Sequence, residues 1–464
     1  MMPFPSGYIA YKTQVGQSTW PRIPAPWSCA LAATSYQLDA SQWWSEELRA
    51  SLQWEQACTL LAHAYDSSPL YRQLYDAAGV RPDTIGGWTD WRRLPLVSRT
   101  DLQGAGERWH SQKIPPAHGE LMQHVSSGST GAPLAAYGTS LSYLIKMALV
   151  VRNHQWAGRS LDARAAFILD QGDDWSEEGT QSPFWQRSLA DAIETGPSLA
   201  LSVKLSIERL CELLRQFQPA YLFTYPSVVA ALARHTIAHR LEMGFLRQIG
   251  TLGEVLPPQC RRIVAQAWGV AIVDGYSARE VGPIALQCPD GEHYHVQSDA
   301  VLVEVLRDDG VPCTAGETGR VVLTALHNFA SPMIRYAIGD FAEAGHACAC
   351  GRRLPVLRRI RGRSRNLLTY PDGQRRWPSL GEAGFAALQA SGLPAIRQYQ
   401  IVQHSVERLE VRLVADRPLA HAERELALAY LRRELGAHWD VTFTYPSTLG
   451  GPRGKFEDFM SLVR

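Results

Sequence analysis

The stretch "SSGSTGAPL", residues 126–134, decides how this chain is read. Its glycines allow close backbone approach, and its serine and threonine hydroxyls, with the neighbouring N–H groups, can wrap phosphate oxygens. A nucleotide loop of the Walker type needs a lysine followed by Ser or Thr after the last glycine. Here Gly131 is followed by Ala132 and Pro133, which sets that class aside. From these residues alone two readings stay open. One is a phosphate cradle of another class, and the other is a polar turn, since Ser, Gly, Thr and Pro are ordinary loop material.

The rest of the chain narrows the choice. With 464 residues it is too long for a single core, so two or more domains are expected. Hydrophobic residues make up 45% and charged residues 20%, as in soluble globular proteins, and the formal net charge is +1. That balance points away from nucleic acid and from an acidic membrane surface as partners. The N-terminus "MMPFPSGYIAYKTQVGQ" has no basic segment leading into an apolar run, and no apolar stretch is long enough to span a bilayer. A cytoplasmic location is the expectation. Eight cysteines are too sparse for a disulfide scaffold, so any cluster among them reads as metal binding or buried core.

Helical and strand patterns alternate. In "SIERLCELLRQFQP" Ser206 is placed to cap a helix whose Ile207, Leu210, Leu214 and Phe217 share one face, with Pro219 just beyond. "YLFTY" (221–225) reads as a short buried strand, "VVAALARHTIAHRL" as a helix, and "GVAIVDGY" (269–276) as a β-branched strand. From about 300 to 340 the texture is β, with "VLVEVL" and "GETGRVVLTAL". Near the C-terminus "RLEVRLV" alternates, "AERELALAYLRRELG" is a helix with Gly436 as its C-cap, and "WDVTFTY" is a last strand. An α/β fold with a partly parallel sheet follows, with a separate C-terminal unit joined near "RRIRGRSRN" (358–366).

In this setting "SSGSTGAP" resembles the "SSGTTGxP" signature of adenylate-forming enzymes, the acyl-CoA synthetase superfamily. The order of the other motifs agrees. "SSPLYRQLYDAAGVRPDTIGGWTDWRRLPLVSRTDL" resembles the N-terminal segment of the phenylacetate–CoA ligase and coenzyme F390 synthetase-like branch. "DGYSAREVGPIALQC", "SPMIRYAIGD", "RIRGRSRNLL" and "GGPRGKF" resemble the tyrosine-to-glutamate motif, the "P-x-I-R-Y-x-x-G-D" motif, the hinge and the terminal Gly-Lys motif. The resemblance runs from about residue 50 to the end.

It implies a large N-terminal multi-sheet adenylation domain over residues 1–362, carrying the nucleotide, acid and metal sites. A small mobile α+β lid over 363–464 would carry the catalytic lysine. It also implies a two-step activity: a carboxylic acid attacks the α-phosphate of ATP, then a thiol, that of coenzyme A in this branch, displaces AMP. The resemblance assigns Ser126, Ser127, Gly128, Ser129, Thr130 and Gly131 to the triphosphate. It assigns Tyr276 to adenine, with Ser277 and Arg279 nearby, Glu280 to Mg²⁺, Asp340 to the ribose hydroxyls, and Arg363 to ribose or phosphate. Lys455 would act in the adenylation transition state and Arg365 at the hinge. A step that brings an anion against a polyanion needs such positioning and charge neutralisation.

Some positions depart from the family pattern. Arg279 stands where a Ser or Thr commonly meets the α-phosphate, Ala132 where a lysine is frequent, and Arg365-Asn366 where the hinge has two aspartates. "YPDGQRRWPS" replaces the segment that borders the CoA tunnel, so a carrier-protein thiol or an amine is an alternative acceptor, as in secondary-metabolite or capsule pathways. A non-catalytic, zinc-stabilised binding protein is the competing class. Cys348 and Cys350, with Cys288 and His295, make an S₃N set suited to structural zinc, as in some members of the branch, with His293 as the alternative imidazole. By family position Phe223, Tyr225, Gly253 and Glu254 border the acid, and the two rings favour a flat aromatic acid. A small-molecule acid and CoA or a carrier protein are the implied partners; a homodimer is compatible with the chain.

Overall fold

The computed structural model describes residues 8–18, 20–125, 134–172, 175–378, 388, 392–436, 438–447, 449 and 456–463. The 126–131 loop and Lys455 lie outside the described residues.

One sheet runs through the large domain. Its strands follow the order Thr180–Ser182, Ser198–Ser202, Ala165–Leu169, Tyr221–Thr224, Gln248–Leu252, Ala271–Ala278, Gly282–Gln287, Tyr294–Val296, Val356–Arg363, Tyr336–Ala344, Thr318–Ala325 and Val301–Leu306. From Ser198–Ser202 to Ala271–Ala278 neighbouring strands are parallel. From Ala271–Ala278 to Val301–Leu306 they are antiparallel. The chain builds Ala165–Leu169 first, adds Ser198–Ser202 on one side, then crosses to Tyr221–Thr224 on the other. Ligands of open α/β sheets sit beyond the carboxyl ends of strands at such a reversal.

Alternation along each parallel strand feeds two cores. Leu222, Ile249 and Ile272 pack against helices Ile207–Phe217, Pro226–His239 and Pro258–Trp268. Tyr221 and Phe223 point to the other face, against helices Pro26–Ser41 and Ser140–Trp156. Ser206 caps its helix as expected, its Oγ accepting from Arg209 N at 3.2 Å. Gly250 has no side chain for a direct reason: a Cβ there would stand 2.5 Å from Cδ1 of Phe223. A third core gathers Tyr71, Tyr75, Trp91 and Trp109 near the N-terminus of the domain.

The C-terminal unit has a sheet of its own, ordered Asp440–Thr444, Arg408–Ala415, Ile396–Gln403 and Phe459–Ser461. Helix His421–Leu435 covers it with Leu431 and Leu435, and Gly436 at φ +69° ends that helix. The strand Phe459–Ser461 is an addition to the sequence reading. It lies past the Gly-rich stretch and pairs in parallel with Ile396–Gln403. Among the described residues no helix is long and apolar enough to cross a membrane.

Candidate nucleotide and metal sites

The "DGYSARE" motif is the end of a strand and the turn after it. Tyr276 closes the buried part of Ala271–Ala278, and its hydroxyl donates to Oδ2 of Asp340 at 2.7 Å. Burial first, then the Asp340 carboxylate, holds the Tyr276 hydroxyl well above its ordinary value, so it stays a donor. Asp340 lies in strand Tyr336–Ala344, directly after Gly339 at φ +89°, in cross-strand register with Arg363. Arg363 Nε stands 3.6 Å from Asp340 Oδ1. Tyr276, Asp340 and Arg363 therefore form one cluster.

Glu280 occupies the turn between Ala271–Ala278 and Gly282–Gln287, not a surface helix. Its side chain is 8% exposed and its Oε1 lies 3.4 Å from Arg99 Nη1. Arg279 is exposed on the same turn, and Ser277 is exposed near the end of the strand before it. The motif arginine of "SPMIRYAIGD", Arg335, is a structural clamp. It pairs with Glu304 at 3.1 Å and donates to the carbonyls of Arg92 and Leu94 at 2.6 and 2.7 Å.

The positions assigned to the acid separate into two groups. Phe223 stacks on Phe167 at 4.9 Å, under the guanidinium of the buried Arg159, and so belongs to an aromatic cluster of the core. Tyr225 lies just past strand Tyr221–Thr224, at the N-cap of helix Pro226–His239, and its hydroxyl accepts from Asp170 N at 3.4 Å. Gly253, at φ +79°, turns the chain beyond Gln248–Leu252. Glu254 follows, and its oxygens accept from Ser227 N and Ser227 Oγ at 2.9 Å each and from Phe456 N at 2.7 Å. Its carboxylate thus serves bonds within the protein. Arg365, the residue assigned to a hinge by resemblance, makes a two-pronged pair with Glu457, with Nε to Oε2 at 2.9 Å and Nη2 to Oε1. Asn366 donates to the same Oε2 at 3.0 Å.

Cys288, His295, Cys348 and Cys350 converge, with ligand atoms all within 4.8 Å of one another. Cys288 Sγ to Cys348 Sγ is 3.8 Å, and Cys350 Sγ to His295 Nε2 is 3.4 Å. A tetrahedral ion with bonds of about 2.0 to 2.3 Å needs ligand edges of roughly this length. Burial holds the His295 imidazole down to about 4, hence neutral and able to offer a lone pair. The donor set therefore fits zinc. His293 Nε2 instead approaches Cys348 Sγ at 3.0 Å, a hydrogen bond beside the set. The cysteine loop is anchored at a distance: Arg352 lies between the rings of Trp43 and Trp156 and donates to Gln42 Oε1 at 2.8 Å.

The model of the AMP-binding enzyme family matches residues 46–330. This chain belongs to that family. Within it, the phenylacetate-coenzyme A ligase of Thermus thermophilus is 28% identical over 384 residues, covering 80% of this chain and 82% of that one. The phenylacetate-coenzyme A ligase of Escherichia coli K12 is 27% identical, covering 72% and 76%. A crystal structure of 2-hydroxyisobutyryl-CoA ligase in the postadenylation state, in complex with 2-HIB-AMP, superposes with a TM-score of 0.71 at 19% identity. It covers 90% of each chain. At that identity the likeness is one of fold.

Reading motifs of the AMP-binding family left out Arg99, Lys146 and Glu457. Arg99 faces Glu280 across 181 residues of chain, which no local pattern encodes. Lys146 had a visible signal, a lysine inside the apolar run "LIKMALVV". Its stem lies over Gly282, where an added Cβ would stand 3.4 Å from Lys146 Cγ. Burial, and after it the charge of Arg279, pushes its ammonium below the usual lysine range.

Proposed function

We propose that this chain is an ATP-dependent acid–thiol ligase that forms an acyl-adenylate and passes the acyl group to coenzyme A. In the first step a carboxylate oxygen bonds to the α-phosphorus, the bond to the bridging oxygen breaks, and pyrophosphate leaves with the electron pair. In the second step the CoA sulfur gives up its proton and bonds to the acyl carbon, and AMP departs with the pair. The observation that carries the reading is the Tyr276–Asp340–Arg363 cluster, with Glu280 on the adjoining turn.

Each group has a task that its chemistry suits. The Tyr276 ring offers an apolar face for a purine. The Asp340 carboxylate is an acceptor of the kind that suits ribose hydroxyls. Arg363 and Arg279 supply cations to phosphate oxygens. Glu280, nearly buried, is a hard oxygen donor that would hold Mg²⁺, which when bound neutralises phosphate charge. The 126–131 loop and Lys455 keep, on resemblance, the roles of triphosphate clamp and adenylation cation. Cys288, His295, Cys348 and Cys350 would hold a structural zinc, which when bound cross-links the antiparallel half of the sheet. The division into a 1–362 domain and a 363–464 lid belongs to the same reading.

The relatives named phenylacetate-coenzyme A ligase make aryl acids the first substrates to test. The experiment is acid-dependent exchange of labelled pyrophosphate into ATP over aryl and alkyl acids, then addition of CoA. Exchange with an aryl acid and formation of its CoA thioester are expected. Silence with every acid would overturn the reading. Exchange without a thioester would move the acceptor to a carrier-protein thiol or an amine.

A further inference from the structure

Helix Ser140–Trp156 carries a lysine in its middle, where its pattern calls for an apolar residue. Lys146 shares a helix face with Tyr143, Leu149 and Val150, which pack in or against the core that holds Ala165 and Tyr221. The helix lies against strand Gly282–Gln287, and the lysine stem runs over the first residue of that strand. Gly282 has φ +92°, and a Cβ there would stand 3.4 Å from Cγ and 3.6 Å from Cδ of Lys146. Only Cε separates Cδ from the ammonium, so the charge ends close to the turn that carries Arg279 and Glu280.

The surroundings of this charge are unusual. Lys146 is partly buried, and among the described residues it has no hydrogen bond and no ion pair. Its one charged neighbour of influence is Arg279, a like charge. A cation withdrawn from water without a counter-charge costs folding free energy, and a second cation beside it adds to that cost. Folding gains nothing from such a pair; an anion that enters between the helix and the turn relieves it.

The neighbours say which anion. Burial raises the pKa of the Tyr225 hydroxyl, and the charge of Arg279 works against that rise, so Arg279 is within electrostatic reach of both Tyr225 and Lys146. In the reading above Arg279 and Arg363 serve phosphate and Glu280 serves Mg²⁺. The acid carboxylate has to approach a polyanion and needs a cation on its own side. Glu254, beside the acid by resemblance, brings a negative charge and is bonded to Ser227. From this geometry we infer that Lys146 binds the carboxylate of the acid to be activated, and so sets the affinity for the acid rather than for ATP. This rests on the acid-activation reading given above.

The test compares wild type with Lys146→Met, which keeps an unbranched stem and removes the charge. The ligands are an acid that supports pyrophosphate exchange in wild type and the primary amide of that acid. The KM for the acid should rise about tenfold or more in the variant, with the KM for ATP within about threefold. In calorimetric binding the acid should bind wild type about tenfold or more tightly than its amide, and in Lys146→Met the gap should close to about threefold or less. The variant should melt at or above wild type, since a buried charge is gone; were it to melt lower, the acid–amide gap still decides. A KM for the acid within about threefold of wild type, a KM for ATP that rises as much as that of the acid, or an unchanged acid–amide gap overturns the inference. Wild-type protein that exchanges with no acid would instead overturn the ligase reading, so the two failures are distinct.

Discussion

The hydroxyl of Tyr276 and the carboxylate of Asp340 meet at 2.7 Å across 64 residues of chain, joining the seam of the large sheet to its antiparallel half. The bond fixes the tyrosine ring and orients the carboxylate whose other oxygen faces Arg363. Asp340→Asn should raise the KM for ATP in the exchange assay by about tenfold or more, about 1.4 kcal/mol or above. Tyr276→Phe keeps the ring and should cost less, roughly threefold to tenfold. An unchanged KM in Asp340→Asn would remove the aspartate from the nucleotide site.

Purified protein should carry about one zinc per chain by elemental analysis. Cys348→Ser should lose that metal and melt several degrees lower in calorimetry, since a closed structural site contributes folding energy. Metal-free wild type with the melting temperature of the untreated protein would reject the site.

Asp274 sits in the middle of strand Ala271–Ala278. It is buried, accepts from Thr251 Oγ1 at 2.5 Å and from Tyr294 OH at 2.6 Å, and burial raises its pKa from the ordinary 3.8 to about 6. Between those two values the folded chain binds more protons than the unfolded one. Stability from this group is therefore fully present below pH 3.8 and declines as pH rises through about 6, by up to about 3 kcal/mol. Denaturant unfolding between pH 4 and 7 should show a decline in wild type that Asp274→Asn lacks. Parallel pH curves for the two proteins would contradict the assignment.

Gly250→Ala should destabilise the large domain, because its Cβ would meet the Phe223 ring at 2.5 Å. Over-packing of this kind costs about 1–3 kcal/mol. The double variant Gly250→Ala/Phe223→Leu should recover part of the loss, which a thermodynamic cycle measures. A single variant as stable as wild type would show that the aromatic cluster has room to shift.

What could be read from the chain and what could not divide along physical lines. Helix Ile207–Phe217 with its Ser206 cap, and strands such as Tyr221–Thr224 and Arg408–Ala415, carry their signals within a dozen residues, where periodicity and capping act. That Tyr276, Asp340 and Arg363 meet was signalled only by motif order, and that the three cysteines meet His295 by residue type and resemblance. Phe223 was not: on a strand with apolar neighbours on both faces, alternation does not say which ring lines a cavity and which packs on Arg159. Glu254 was placed beside the acid, but its bond partner sits 202 residues downstream, where only the folded chain brings it.

The strand Ala271–Ala278 is parallel to Gln248–Leu252 on one edge and antiparallel to Gly282–Gln287 on the other. It is therefore the point at which two building plans share a single hydrogen-bonded ladder. This bears on how such a protein can be recombined. A chimaera joined within this strand must match a foreign ladder on both edges at once, one slanted and one straight. A chimaera joined at Ser364–Asn366 severs only a short connecting turn. It must then carry a matched Glu457 to meet Arg365, so the natural unit of exchange is the C-terminal sheet together with its charged anchor.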